Sequence, residues 1–295
     1  MAIPEEACDA TANQGAAGGR SENGRPGGQR RLRLLLRVLL IAAFVLVLVR
    51  IFVLEPYSIP TGSMRPTILE GDVLLVNKLP YTIRSIEHFP FTRMPIPHVE
   101  IPGFGRLERG DIVVFAYPSY AGGTMEDDER QFVKRCAAIM GDTIQLLDGR
   151  IRVNGREVPG VPDEGDDELR RRTPVRNNRV TPLLRSEEPV IVPYAGYELQ
   201  LDSATAANWR SLIESEGTRV EYRNRIVFLN GIPALNYTFH RDYFFALGDN
   251  SGISRDSRFF GFIPFENLIG QAWMIYWSRE PDGKIRWDRI GTIIR

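Results

Sequence analysis

Apolar positions along the chain fall into two regimes. From Leu32 to Leu54 the sequence LRLLLRVLLIAAFVLVLVRIFVL is broken only by Arg33, Arg37 and Arg50. After Glu55 the apolar residues come in short runs separated by Gly, Pro, Asn and Asp. A bilayer crossing takes about 20 apolar residues, and arginines near the ends reach back to the interfaces. The stretch 32–54 therefore predicts one transmembrane helix. A cleaved signal peptide is the competing reading, because the charge-free centre Val38–Val49 has the length of an h-region. No A-x-A site follows, and the chain continues into Glu55-Pro56-Tyr57-Ser58-Ile59-Pro60, which favours an uncleaved anchor.

The short runs predict β-strands. They are Val73–Val76, Ile112–Tyr117, Gln131–Ile139, Thr143–Leu147, Ile151–Val153, Val190–Val192, Arg225–Leu229, Tyr243–Leu247 and Ala272–Trp277. Asp148-Gly149, Asn154-Gly155 and Asn230-Gly231 read as tight hairpin turns. One helix is expected over Ser203–Glu216, capped by Asp202 or Ser203, with Trp209, Leu212 and Ile213 on one face and Gly217 as its stop. Residues 157–188 carry the acidic run 163–168, then Arg170-Arg171-Arg172, Pro174 and Pro182, and read as a solvated surface insertion. The organisation expected is a disordered tail (1–31), the anchor (32–54), a first part of a β core (55–158), an inserted secondary region (159–239) and a second part of the core (240–295).

Charge adds an orientation. The 37 basic and 37 acidic residues cancel, which speaks against a basic nucleic-acid binder. Locally, Arg20, Arg25, Arg30, Arg31, Arg33 and Arg37 face one acid, Glu22, so the positive-inside rule leaves the tail in the cytoplasm and sends the rest across. Cys8 and Cys136 would then lie on opposite sides and could not pair. Neither has zinc-type spacing, and three histidines without an HExxH pair argue against metal hydrolysis. No cofactor or metal is expected.

Only three of the 37 basic residues are lysines: Lys78, Lys134 and Lys284. Arginine stays protonated near neutrality, whereas a desolvated lysine can lose its proton. Strand alternation in Gln131-Phe132-Val133-Lys134-Arg135-Cys136 puts Lys134 on a face with Phe132 and Cys136. Burial there would lower the lysine pKa, as a general base requires; an exposed strand lysine is the bland alternative. A second segment, Pro60-Thr61-Gly62-Ser63-Met64-Arg65-Pro66-Thr67, holds the Ser63 hydroxyl in a loop stiffened by two prolines, although such serines are usually turn residues. Gly110-Asp111-Ile112-Val113-Val114-Phe115 reads as a turn feeding a buried strand. The polar run Gly248–Arg258 suits either orientation of a neighbouring amine or a well-bonded structural loop.

In this order, behind a membrane anchor, the segments PTGSMRPT, GDIVVF, FVKRCAAIMGD and GDNSGISRDSR resemble those of the type I signal peptidases, Ser/Lys endopeptidases that remove signal peptides from exported proteins. Residues 160–235 match none of the family's motifs. The resemblance implies a mainly β fold, an antiparallel extracytoplasmic catalytic domain of the signal-peptidase/LexA-like kind behind one transmembrane helix. It implies Ser63 as nucleophile, Lys134 as general base, and the Ser63 backbone N–H with the Thr61 hydroxyl as oxyanion hole. Ser254 would hydrogen-bond the lysine amine, with Asp256 and Arg258 as a supporting ion pair. Tyr57, Ile59, Pro60, Met64, Ile68, Phe132 and Val133 would form shallow pockets that admit Ala-x-Ala by excluding larger side chains. Ser251-Gly252-Ile253, Ala138 and Met140 depart from the family's usual residues.

The implied partners are signal-peptide-bearing preproteins, the lipid bilayer and the secretion translocon, with the protein in the plasma (inner) membrane; no nucleic acid is involved. A specialised Ser/Lys peptidase with one dedicated substrate, and a non-catalytic membrane-tethered β-domain, are the rival readings. The joint presence of Ser63 and Lys134 speaks against the second.

Overall fold

The computed structural model describes residues 27–84, 100–103, 105–121, 131–147, 150–158, 181–184 and 188–294. It forms two compact units, Met1–Leu46 and Val47–Arg295. The first consists, where described, of most of helix α1 (Gly27–Phe52). Residues 30–50 of this helix have a mean hydropathy of 2.7 and are long and apolar enough to cross a membrane. Two expected boundaries move. The tail was expected to extend to residue 31, but Gly27–Arg31 are helical: once the apolar stretch forms a helix, adding residues at its end avoids the cost of nucleation. At the other end, Leu54 already pairs with Asn77 as a strand residue, so the helix stops at Phe52.

The second unit is mainly antiparallel β-structure. In chain order its described strands are β1 (Leu54–Ser58), β2 (Asp72–Asn77), β3 (Thr82–Arg84), β4 (Glu100–Pro102), β5 (Ile112–Ala116), β6 (Gln131–Ala138), β7 (Thr143–Leu147), β8 (Arg150–Val153), β9 (Arg156–Glu157), β10 (Val190–Ile191), β11 (Glu198–Gln200), β12 (Val220–Arg223), β13 (Ile226–Leu229), β14 (Ile232–Pro233), β15 (Asn236–Thr238), β16 (Tyr243–Leu247), β17 (Ile263–Pro264) and β18 (Leu268–Ser278). Seven build the main sheet in the order β1-β2-β18-β5-β6-β16-β17, and β10-β7-β8-β9 form a smaller one. The main sheet thus interleaves strands from both ends of the domain.

All nine strands expected from the apolar runs are present, most with ends shifted by one or two residues. The largest difference is β18, which extends over Leu268–Ser278. It carries Gly270 where a Cβ would come within 2.6 Å of the Asn77 carbonyl oxygen; only glycine allows the neighbouring strand so close. The turns at Asn154-Gly155 and Asn230-Gly231 have positive φ at both residues, as tight hairpins demand. Asp148-Gly149 lies outside the described residues, as do Cys8, residues 159–180 and 185–187.

Helix α2 (Ser203–Ser215) starts where the Asp202 side chain accepts a hydrogen bond from the Thr205 N–H, 2.6 Å. It buries Ala206, Trp209, Leu212 and Ile213. Those side chains join a core that also contains Ala137, Ile144, Tyr243 and Phe262, so α2 shares one core with β6 and β16 of the main sheet. A second core lies around Phe115, Cys136 and Phe244, and a third around Ile59, Met64, Ile68 and Leu74. The third supports the loop that carries Ser63.

Candidate active site

Ser63 lies in the connection between β1 and β2. Its base is closed by hydrogen bonds from the Ile59 N–H to the Asp72 carbonyl, 2.9 Å, and from the Gly71 N–H to the Ile59 carbonyl, 3.0 Å. Met64 and Ile68 are sunk into the third core. Two apolar anchors and a paired base leave the intervening polar residues little freedom, and Ser63 is itself only 8% exposed.

Lys134 is brought to this loop by β6, which pairs with β5 on one side and β16 on the other. Alternation along the strand holds as expected: Phe132 and Cys136 contribute to the second core, while Val133 packs against the third. The lysine is 3% exposed, and its Nζ stands 5.4 Å from the centroid of the Phe132 ring. Nζ donates to Ser63 Oγ at 2.8 Å and to the Val133 carbonyl at 2.9 Å. Burial lowers its pKa from the ordinary 10.5 to about 8; the Asp256 and Asp249 carboxylates oppose the fall, and Arg258 adds to it. The other two lysines are placed differently: Lys78 pairs with Glu55 at 3.2 Å, and Lys284 is exposed.

The run Gly248–Arg258 lies against the pair. Asn250 donates its backbone N–H to the Ser63 carbonyl, 3.0 Å, and its side-chain amide to the Gly62 carbonyl, 3.2 Å. Asp249 receives a two-pronged contact from Arg135, Nε and Nη2 each at 2.8 Å, and a third bond from the Thr67 hydroxyl at 2.6 Å. Asp256, fully buried, accepts from Arg258 Nε and Nη2, both 2.9 Å, and from the Gly248 N–H, 3.0 Å. Arg258 also holds the Ser251 carbonyl at 2.9 Å.

One expected contact is not made. The Ser254 hydroxyl is buried without a hydrogen-bond partner, and the lysine amine is directed at Ser63 and at its own strand's carbonyl instead. Ser254 belongs to the same cluster nonetheless. A Cβ added at Gly248 would lie 2.1 Å from Ser254 Oγ and 2.6 Å from the Ser63 carbonyl oxygen, so glycine is the spacer between the two serines.

The remaining expected positions divide by burial. Thr61 is exposed two residues before Ser63, and Pro60 is exposed as well. Ile59, Met64 and Ile68 are core residues against which Tyr57 and Val133 pack. Phe132 is half-buried in the second core. Burial also pushes the Tyr57 hydroxyl pKa up. Sequence reasoning gave no individual role to Thr67, Arg135, Asp249 or Asn250, although all lie within or beside the quoted segments. The signal available was pairing potential: Arg135 adjoins the lysine, and Asp249 stands in the polar run.

Chemically, a buried amine of lowered basicity in contact with a serine hydroxyl can accept that hydroxyl's proton, and no histidine is needed. Comparison with known proteins places the whole chain rather than this chemistry. The family described as signal peptidase, peptidase S26, matches residues 32–277. Signal peptidase I of Rickettsia typhi is 33% identical over 261 residues, 84% of this chain and 81% of the relative. Signal peptidase I of Pseudomonas aeruginosa is 29% identical over 266 residues, 85% of this chain and 75% of the relative. A crystal structure of a signal peptidase I from Enterococcus faecalis V583 matches at 20% identity, covering 57% of this chain and 98% of its own, with a TM-score of 0.24. The chain therefore belongs to the signal peptidase family, peptidase S26, and is a serine endopeptidase of the signal peptidase I kind.

Proposed function

We propose that Ser63 is the nucleophile and Lys134 the general base, and that the enzyme cuts signal peptides after small residues through an acyl-enzyme. The observation that carries this is the 2.8 Å contact between Lys134 Nζ and Ser63 Oγ in a site where burial favours the neutral amine. The neutral amine takes the Ser63 proton as Oγ attacks the scissile carbonyl. The resulting ammonium then gives a proton to the leaving amine of the mature protein. Water, activated by the same lysine, releases the signal peptide and regenerates Ser63. In this reading the Ser63 N–H and the Thr61 hydroxyl stabilise the oxyanion. Pockets walled by Tyr57, Ile59, Pro60, Met64, Ile68, Phe132 and Val133 select Ala-x-Ala, while the substrate lies extended along the strands.

The same proposal orients the protein with a cytoplasmic N-terminus, one span in the plasma (inner) membrane and an extracytoplasmic catalytic unit that takes preproteins from the translocon. Two features support a site close to the bilayer: Ser63 follows the end of α1 at Phe52 by only 11 positions, and Trp273, Tyr276 and Trp287 are exposed on the catalytic unit. Trp and Tyr favour the membrane interface.

The test is processing of a purified preprotein by the full-length enzyme in detergent. Ser63→Ala and Lys134→Ala should each abolish cleavage while the urea unfolding transition persists; ordinary cleavage by either folded variant refutes the pair.

A further inference from the structure

The family match ends at Trp277, yet the residues beyond it are tied to the loop that bears Ser63. After β18 the chain turns and runs back along that strand as an arm. Ile275 N–H bonds the Thr292 carbonyl, Gly291 N–H the Ile275 carbonyl, and Ile294 N–H the Trp273 carbonyl, at 2.8–2.9 Å. Ile294 packs on the core that contains Met64 and Ile68. Two arginines of the arm reach past β18 to the loop. Arg289 Nη2 donates to the Thr67 carbonyl at 3.0 Å and to Asp72 Oδ2 at 2.7 Å. Arg286 Nη1 donates to the Glu70 carbonyl at 3.0 Å. Asp72 is fully buried and also accepts from the Leu69 N–H, 2.8 Å, and the Ser278 hydroxyl, 2.6 Å.

Thr67 is the junction. Its carbonyl is held by Arg289, while its hydroxyl donates to Asp249, whose neighbour Asn250 donates to the Ser63 carbonyl. The loop is therefore gripped downstream of Ser63 from two directions, by the arm and by the run that lies against Lys134. We infer that the arm is a clasp that fixes where Ser63 stands relative to Lys134, with Arg289 as a positioning residue for the cleavage step. This rests on the reading of Ser63 and Lys134 as nucleophile and base.

A planar guanidinium can bond a carboxylate and a carbonyl at once, whereas an ammonium supplies the charge without that fixed fork. Arg289→Lys therefore keeps a cation beside Asp72 and loosens the hold on Thr67. Misplacement of reacting groups by about 1 Å can cost about a hundredfold in rate. Arg289 is not among the charges that set the Lys134 pKa, so its loss should leave the pH profile in place.

The experiment measures kcat, KM and the pH–rate profile of full-length Arg289→Lys and Arg289→Ala in detergent on a preprotein. Rates are corrected for the folded fraction from urea unfolding, and Ser63→Ala is run in parallel. The expected result for Arg289→Lys is a fall in kcat of fivefold or more, KM within threefold of wild type and an unmoved ascending pH limb. A smaller fall per folded molecule overturns the inference, as does an effect confined to KM or a displaced limb. If Arg289→Ala does not fold, Arg289→Lys decides alone. Activity in Ser63→Ala would overturn the underlying reading instead; an inactive Ser63→Ala beside a fully active Arg289→Lys would overturn only the clasp.

Discussion

Replacing Lys134 by methionine removes the amine but keeps a flexible apolar chain of similar length, and its effect on stability follows from the site. The unfolded chain holds this lysine's proton up to about its ordinary value of 10.5, whereas the folded protein releases it near 8. Below pH 8 both states are protonated, and the folded state bears the whole cost of the buried ammonium. Between the two values the unfolded state binds more protons, so wild-type stability rises with pH; above 10.5 the rise is complete. At about 1.36 kcal/mol per pH unit, this gap amounts to about 3 kcal/mol. Methionine escapes that cost but forfeits the bonds to Ser63 and the Val133 carbonyl, worth about 1 kcal/mol each.

Lys134→Met should therefore be more stable than wild type by about 1 kcal/mol at pH 6 and less stable by about 2 kcal/mol near pH 10.5. The stability difference should change sign on the way. Urea unfolding of the full-length protein in detergent, followed by tryptophan fluorescence from pH 6 to 10.5, measures this. Trp209, Trp273, Trp277 and Trp287 all lie in the Val47–Arg295 unit, so the signal reports on the catalytic unit alone. Other groups that titrate in this range cancel in the difference between the two proteins. A difference that varies by less than about 1 kcal/mol across the window would refute the account of burial as the origin of the lysine's lowered basicity.

The ascending limb of kcat/KM against pH should have its midpoint at about 8, the free-enzyme value of the base; a limb near 10 would contradict it, and stopped assays at fixed subsaturating substrate are sufficient. Gly248→Ala should lower kcat/KM by tenfold or more with the unfolding transition retained, because the new methyl cannot fit between Ser254 and the Ser63 carbonyl. Asp249→Asn should destabilise the catalytic unit by about 3 kcal/mol in urea unfolding, since Arg135 loses the charge of its buried partner.

Much of this architecture was legible because it is written in local patterns. The span shows as an unbroken apolar stretch, α2 by its cap at Asp202 and its Trp209 face, and the long strands by their β-branched and aromatic runs. The first strand was not legible, because Leu54 reads as the end of the anchor and Glu55, Pro56 and Ser58 look like a linker; pairing with β2 decides its state. Strands such as Ile232–Pro233 and Ile263–Pro264 are too short to carry a period. At the site, residue types and alternation pointed to Lys134 and suggested its burial, but only the family resemblance joined it to Ser63, across 71 positions in sequence. Direction was beyond the sequence: nothing in SGISRDSR tells whether Ser254 faces the amine or turns toward Gly248. The arm was equally hidden, because Arg286 and Arg289 act on a loop more than 200 positions upstream.

The two carboxylates near Lys134 explain why its basicity is lowered only in part. A bare carboxylate beside a buried lysine would favour the ammonium and work against a general base. Asp249 and Asp256 do push in that direction, but each is engaged on two atoms by its own arginine, Arg135 and Arg258. Arg258 offsets part of that push on the amine, while each acid fixes a turn: Asp249 through Thr67, Asp256 through the Gly248 N–H. Burial is then the largest influence left on the amine. The composition acquires a physical meaning here, since arginines serve as permanent counter-charges beside the site and a lysine stands at the position where the proton has to leave.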